Sequence, residues 1–175
     1  MAILEVITAP EPILKKKAKP VELVDDGIKE IMDNMLETMY HGKGVGLAAN
    51  QVGILKRIIV IDLQDDDDME RPEEFYPLFM ANPTIIDCSD EMLEATEACL
   101  SVPDQKINVL RHVSVKVRYL DYNNKEQELE ASNWLARAIQ HEIDHLDGKL
   151  LLDYLSNLRR NVVIRKLLKS KKLST

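Results

Sequence analysis

The sequence predicts an α+β fold in which antiparallel strands pack around a central H-E-x-x-H-bearing helix, followed by a C-terminal helix. Three observations carry that expectation. Apolar residues recur at helical offsets of three and four in the segment after Asp25 and Asp26. Several short β-rich runs, separated by turn residues, fill the middle of the chain. A second capped segment, ending near Gly148, contains His141-Glu142-Ile143-Asp144-His145. With 175 residues and neither a repeat nor a low-complexity linker, the chain reads as one domain over 1–175, of which 154–175 is a basic helix.

The elements follow in order. Pro10, Pro12 and Pro20 break up the opening segment, which should wrap the surface. Ile28, Ile31, Met32, Met35, Leu36 and Met39 form one helical face, and the methionines on it read as core packing. The stretch 41–46, with three glycines, ends that helix. Residues 57–63 read as a buried strand and 64–77 as a polar loop rich in Asp and Pro. Segments 79–86, 91–99, 112–120 and 126–131 have strand character, with a hairpin turn at 121–125. Ser132 or Asn133 should cap the helix that runs through His145, and Gly148 suits its C-terminus. In the tail, Val162, Val163, Leu167 and Leu168 form an apolar stripe among Arg and Lys residues.

Composition narrows the function. Hydrophobic residues at 45% and charged ones at 30% fit a soluble globular protein, and a net charge of −7 gives no general attraction to nucleic acid. The charge is uneven: acids cluster at 65–68, 70, 73 and 74, whereas the chain after Asp153 has bases and no acid. No apolar run is long enough to span a membrane, and the N-terminus has neither a basic start nor a long apolar stretch. The expectation is a cytoplasmic protein with no membrane partner. Cys88 and Cys99 are then expected to be reduced thiols.

His141 and His145 stand four apart in a helix, so both imidazoles face one ion, with Glu142 beside them to move protons. A catalytic ion usually takes three protein ligands. Leu151 occupies the position where a longer downstream motif would place a third histidine. Beyond Asp153 there is no His, Cys, Asp or Glu, while Asp147 and Asp153 sit close to the helix end. The third ligand is therefore sought upstream among Cys88, Cys99, His41, His112 and several acids. Cys99 is favoured, because a thiolate suits a borderline ion; Cys88 and His112 read as structural.

Gly44-Val45-Gly46-Leu47-Ala48-Ala49-Asn50-Gln51 has the letters of a dinucleotide loop, but a helix precedes it and a strand follows, the reverse of what that loop needs. It reads instead either as small residues that let another chain approach the backbone or as a tight turn on the core. Gln51 ends it with an amide donor.

Three separated segments together resemble the peptide deformylases. Gly44-Val-Gly-Leu-Ala-Ala-Asn-Gln51 is similar to the family's G-x-G-x-A-A-x-Q, Glu97-Ala-Cys-Leu-Ser101 to E-G-C-L-S, and Gln140-His-Glu-Ile-Asp-His145 to Q-H-E-x-D-H. Order and spacing match, and the likeness runs from Ile7 to Leu155. The resemblance implies one divalent transition metal held by Cys99, His141 and His145. The family's ion in cells is typically Fe(II), with Zn(II), Ni(II) or Co(II) in purified protein. It implies removal of the N-formyl group from the initiator methionine of nascent polypeptides. Glu142 is then the proton carrier, with the Gln51 side chain and the Leu100 backbone N–H as oxyanion donors. Gly44, Gly46 and Ala98 would border the peptide, and Val45, Trp134, Ala138 and the stem of Arg137 would wall a methionine pocket. Docking of the basic C-terminal helix to the ribosome is a further implication, with the protein itself a monomer.

The chain departs from the family at Ala98 and Asn133, both of which replace glycine. A positive φ at Ala98 would bring strain and lower activity. Glu97 is expected to pair with Arg111 behind the ligands. The rival readings are an H-E-x-x-H peptidase, a catalytically weak deformylase-like protein, and a non-catalytic module stabilised by an ion.

Overall fold

The computed structural model describes residues 1–64, 71–72 and 74–174. Most of the acidic run, at 65–68, 70 and 73, lies outside the described residues. The Asp25 side chain accepts a hydrogen bond from the Ile28 backbone N–H and caps α1 (Asp26–His41), which buries Ile28, Met32, Met35 and Met39. The anticipated methionine face is thus core.

Two sheets follow. Strands β1 (Gly46–Ala48), β2 (Ile58–Ile61), β3 (Leu78–Cys88), β6 (Ser114–Leu120) and β7 (Glu126–Ser132) form an antiparallel sheet in the order β1-β2-β3-β6-β7. Strands β4 (Met92–Cys99) and β5 (Val102–His112) form a separate antiparallel pair. Two of these strands are absent from the sequence expectation. β1 lies within the glycine-rich stretch, and β5 opens with Val-Pro-Asp, a poor strand start. His112, placed at the start of a strand by pattern, ends β5 instead.

The strand β2 shows how both faces of the larger sheet are used. Its Ile58 and Val60 pack with α1, while Ile59 and Ile61 pack with Leu135, Ala136, Ile139 and Leu146 of α2 (Asn133–Leu146). All four strand residues are buried, so the alternation expected of a half-exposed strand is missing. α2 lies between this sheet and the β4–β5 pair. It meets the first through the apolar residues just named and the second through polar bridges: Gln140 exchanges hydrogen bonds with both backbone groups of His112, and Arg111 pairs with Asp144.

The start of α2 differs from simple capping, whereas its end closes as expected, with the Gly148 N–H donating to the His145 carbonyl and the Lys149 N–H to the Asp144 carbonyl. Ser132 occupies the N-cap without a side-chain hydrogen bond, and Asn133 caps nothing: it adopts φ 56°, the left-handed conformation that asparagine tolerates in place of glycine. At the other end Gly148 has φ 76°, and a Cβ there would stand 2.4 Å from the Lys15 carbonyl oxygen. Glycine is obligatory at that contact.

A one-turn 3-10 helix at Ala49–Val52 follows β1, and another at Leu151–Tyr154 leads to α3 (Asn157–Ser174). Leu167 of α3 is buried, with Val163 and Ile164 beside it, against Ala9, Leu14 and the β5 residues Val102, Ile107 and Val109. The expected stripe on this helix is only half correct, since Val162 and Leu168 face outward. No helix among the described residues is long and apolar enough to cross a membrane.

Candidate metal centre

Cys99 ends β4, and His141 and His145 lie one turn apart on α2; their ligand atoms all fall within 4.8 Å of one another. The sulfur is 3.3 Å from His145 Nε2, which is 3.2 Å from His141 Nε2. The other upstream candidates are elsewhere. Cys88 is exposed, His41 is exposed at the end of α1, and His112 Nδ1 hydrogen-bonds the Ser89 carbonyl.

The donor set fits an ion. His141 Nδ1 lies 2.8 Å from Glu97 Oε1, and an ionised carboxylate requires the proton to sit on that nitrogen. Although burial opposes it, the hydrogen bonds to Cys99 and Glu97 hold the ion-free His141 well above the usual imidazole range, so its Nε2 offers a lone pair to an ion by giving up a proton. Three electron-pair donors converge in a buried place, an arrangement that a cation satisfies. Burial, with His141 and Arg111 adding to it, pushes His145 well below the usual imidazole range, which keeps it neutral and ready to coordinate.

Behind the ligands stands a carboxylate held by three partners. Burial alone would raise Glu97, but hydrogen bonds from His141 and Arg111, and the Arg111 charge, hold its carboxyl down at about 2. Arg111 grips it through Nε and Nη2 at 2.7 and 2.9 Å, so the expected pairing is present. Arg137 Nη1 adds a third grip at 2.6 Å. Arg111 also pairs with Asp144 at 2.8 Å, and Tyr154 donates to the same carboxylate. Sequence reasoning named neither Asp144 nor Tyr154 in this network, and Arg137 only as a wall.

Glu142 is buried, with Oε1 3.9 Å from His141 Nε2. Burial pushes its carboxyl up to about 7, although the His141 and Arg111 charges oppose this. A carboxyl near neutrality both accepts and returns a proton. Its neighbour is Gly46, where a Cβ would come within 2.7 Å of Oε1. The missing Cβ lets the Glu142 carboxylate come close, while Leu47, Ala48 and Ala49 of the same segment are buried in the core, as the tight-turn reading has it.

Gln51 is oriented by its own turn. The Ala48 backbone N–H donates to Oε1 at 2.9 Å, which turns Nε2 toward Ser101 Oγ at 3.0 Å and Cys99 Sγ at 3.5 Å. The Leu100 side chain packs on the glycine-rich stretch, where its Cδ1 would be 3.1 and 3.0 Å from a Cβ at Gly42 and Gly44.

A cavity of about 600 Å³ opens onto these groups. Gly44, Val45 and Gly46 line one side, Ala98, Cys99 and Leu100 another, and Trp134, Arg137, Ala138, His141 and Glu142 line the helical wall, with Gln51 also present. His145, the remaining expected ligand, lies deeper, at 1% exposure. Trp134 is 59% exposed at the rim and so is not a core residue. Glu97 also lines it, and Lys43, Leu63, Thr96, Pro103 and Asp104, which carried no sequence signal, complete the lining. Ala98 does not have a positive φ, so its methyl brings no backbone strain and the motive for reduced activity falls away.

A family model described as polypeptide deformylase matches residues 3–161. A peptide deformylase of Rickettsia akari is 58% identical over 171 residues, covering 98% of each chain. Among solved structures, peptide deformylase from Ehrlichia chaffeensis superposes with a TM-score of 0.92 at 39% identity, covering 99% of both chains. A structure of peptide deformylase from the same organism in complex with actinonin gives 0.91 at 40% identity, over 97% of this chain and 98% of that one.

Proposed function

The chain belongs to the polypeptide deformylase family, and from that membership we propose the part that each residue of the site plays. The protein is a metal-dependent hydrolase that removes the N-formyl group from the initiator methionine of nascent polypeptides and releases formate. The observation that supports the residue roles is the meeting of Cys99, His141 and His145 beside a buried Glu142 at the floor of one cavity.

Cys99, His141 and His145 would hold a divalent ion, which when bound would supply Lewis acidity, lowering the pKa of water and polarising a carbonyl. Glu142 accepts a proton from the attacking water as its oxygen bonds to the formyl carbon. The same carboxyl then delivers that proton to the amine nitrogen as the C–N bond breaks, leaving formate and a free amino terminus. Gln51 Nε2 and the Leu100 backbone N–H donate to the former carbonyl oxygen while it carries charge. One such donor is worth about 3 kcal/mol of barrier. Val45, Trp134, Ala138 and the stem of Arg137 enclose the methionine side chain, and the backbone at Gly44, Gly46 and Ala98 borders the peptide.

Fe(II) is the native ion in this reading, with Zn(II), Ni(II) or Co(II) replacing it in purified material. The protein works as a cytoplasmic monomer. Exposed Arg159, Arg165, Lys166 and Lys169 on α3 support docking to the ribosome, whose RNA attracts such charge. The test of function is formate release from formyl-Met-Ala-Ser by the anaerobic Fe(II) protein, with the unformylated peptide as control. Formate from the first and no cleavage of the second is expected; the reverse pattern would make the protein a peptidase.

A further inference from the structure

The three ligands come from two elements that share no strand pairing: Cys99 from the β4–β5 pair and both histidines from α2. Something must fix that pair against the helix to within a fraction of an ångström, because coordination distances tolerate little error. Arg137 is built for the task. It stands one turn before His141 and reaches three points on the opposite strands at once: Glu97 Oε2 at 2.6 Å, the Val109 carbonyl at 2.9 Å and the Leu93 carbonyl at 2.5 Å. Its side chain is 7% exposed, and it lines the cavity.

Charge leads to the same residue. The cluster holds two carboxylates, the buried Glu97 and the half-buried Asp144, and two buried guanidiniums, Arg111 and Arg137. Arg111 is shared by both acids, so it cannot neutralise the pair alone. Arg137 closes the balance at Glu97, the carboxylate that orients His141. An uncompensated buried charge is costly, and the group relieves it by moving or by changing its partners.

We infer that Arg137 is a positioning residue for the metal centre: it clamps the strands that carry Cys99 onto the helix that carries the histidines, and it holds Glu97 where His141 needs it. The wall it offers to the methionine side chain is secondary. This rests on the metal-site reading above, and the two fail differently. If the unaltered protein binds no Co(II) tightly, the metal-site reading is wrong; if a variant at 137 binds it as well as the unaltered protein does, only this inference is.

The experiment compares R137M, which keeps an apolar wall of similar length, with R137K, which keeps the charge but not the three-point grip. Loss of a group that holds a ligand's hydrogen-bond partner commonly weakens metal sites by about 10- to 100-fold. R137M should therefore release Co(II) to EDTA about tenfold faster or more. Its visible Co(II) absorption should shift, and kcat should fall about tenfold with KM for formyl-Met-Ala-Ser changed by less than about threefold. R137K should lie between the two. A rise in KM alone, with unaltered ion release and spectrum in R137M, would reduce Arg137 to a pocket wall. If R137M does not fold, R137K decides by the same release rate and spectrum, with values equal to the unaltered protein's overturning the inference.

Discussion

At the residue scale, the site depends on a few atoms without freedom to move. Glu142 is boxed by its own burial and by the backbone of Gly46, so G46A forces a carboxylate contact of 2.7 Å to open. Glu142 must rotate away, while the ligand atoms of Cys99, His141 and His145 keep their places. The expected outcome is a fall in kcat of about 100-fold, the lower range for a displaced general base, with the bound metal remaining stoichiometric. Paired turnover and metal analysis check this; a variant with unchanged kcat would show that Glu142 has room to spare. Much at this scale was legible in the sequence. His141, Glu142 and His145 announce themselves by helical spacing, and the letters around Gly46 and Gln51 mark a close approach. Arg137 was not legible in the same way. Its position says that it shares a face with His141, but only the path of β4 and β5 shows that its guanidinium ends on Glu97 rather than in solvent. Asn133 is a similar case: an asparagine before a helix reads as a cap, and only the backbone shows φ 56°.

At the element scale, periodicity worked where one face of an element is buried and failed where that condition lapses. α1 is the success, with its face of Ile28, Met32, Met35 and Met39. β5 is the failure: it points Arg111 inward at 4% exposure and Leu110 outward at 54%, inverting the usual rule in the middle of a strand. That inversion places Arg111 on Glu97 and Asp144, beside the Cys99, His141 and His145 cluster, so the strand departs from pattern where the candidate site lies. The turn after α2 supports a separate prediction. The Asp153 carboxylate accepts the Leu150 backbone N–H at 2.8 Å and pairs with Lys15, tying the Leu151–Tyr154 turn to the opening segment. Burial would raise its carboxyl, but the Leu150 N–H and the Lys15 charge outweigh it and hold it below its ordinary value of 3.8. A folded value below the unfolded one stabilises the protein above pH of about 4, and the contribution fades as pH falls through the folded value. D153N should therefore cost about 1 kcal/mol near neutrality, and the difference should shrink below about pH 4. Urea melts at neutral pH and near pH 3 test it; a gap independent of pH would assign the effect to shape rather than charge.

At the scale of the whole molecule, the proposed metal centre would also be a joint. The core divides into the packing between α1 and the larger sheet, the packing between that sheet and α2, and the packing of β5, α3 and the opening segment. Cys99 belongs to the last of these, whereas His145 sits on α2, 46 residues away in sequence. Their meeting is the long-range fact that spacing within any one motif does not reveal. An ion coordinated by both elements would pull the β4–β5 pair and α2 together in the folded state and would find no such arrangement in the unfolded chain. Ligand linkage then sets the expected gain: free ion at 100 times its dissociation constant adds about 2.7 kcal/mol. For a chain of 175 residues, each kcal/mol moves Tm by about 2–4 °C. Exhaustive chelation should thus lower Tm by about 5–10 °C relative to protein in such an excess of Zn(II), and restoring the ion should recover it. The Cys99→Ala variant should melt close to the chelated protein and respond weakly to added Zn(II), because two imidazoles on one helix no longer link that helix to the strands. If the cysteine variant kept the full Zn(II)-dependent rise, the ion would be bound without joining the two elements, and the sulfur would have no place in the centre.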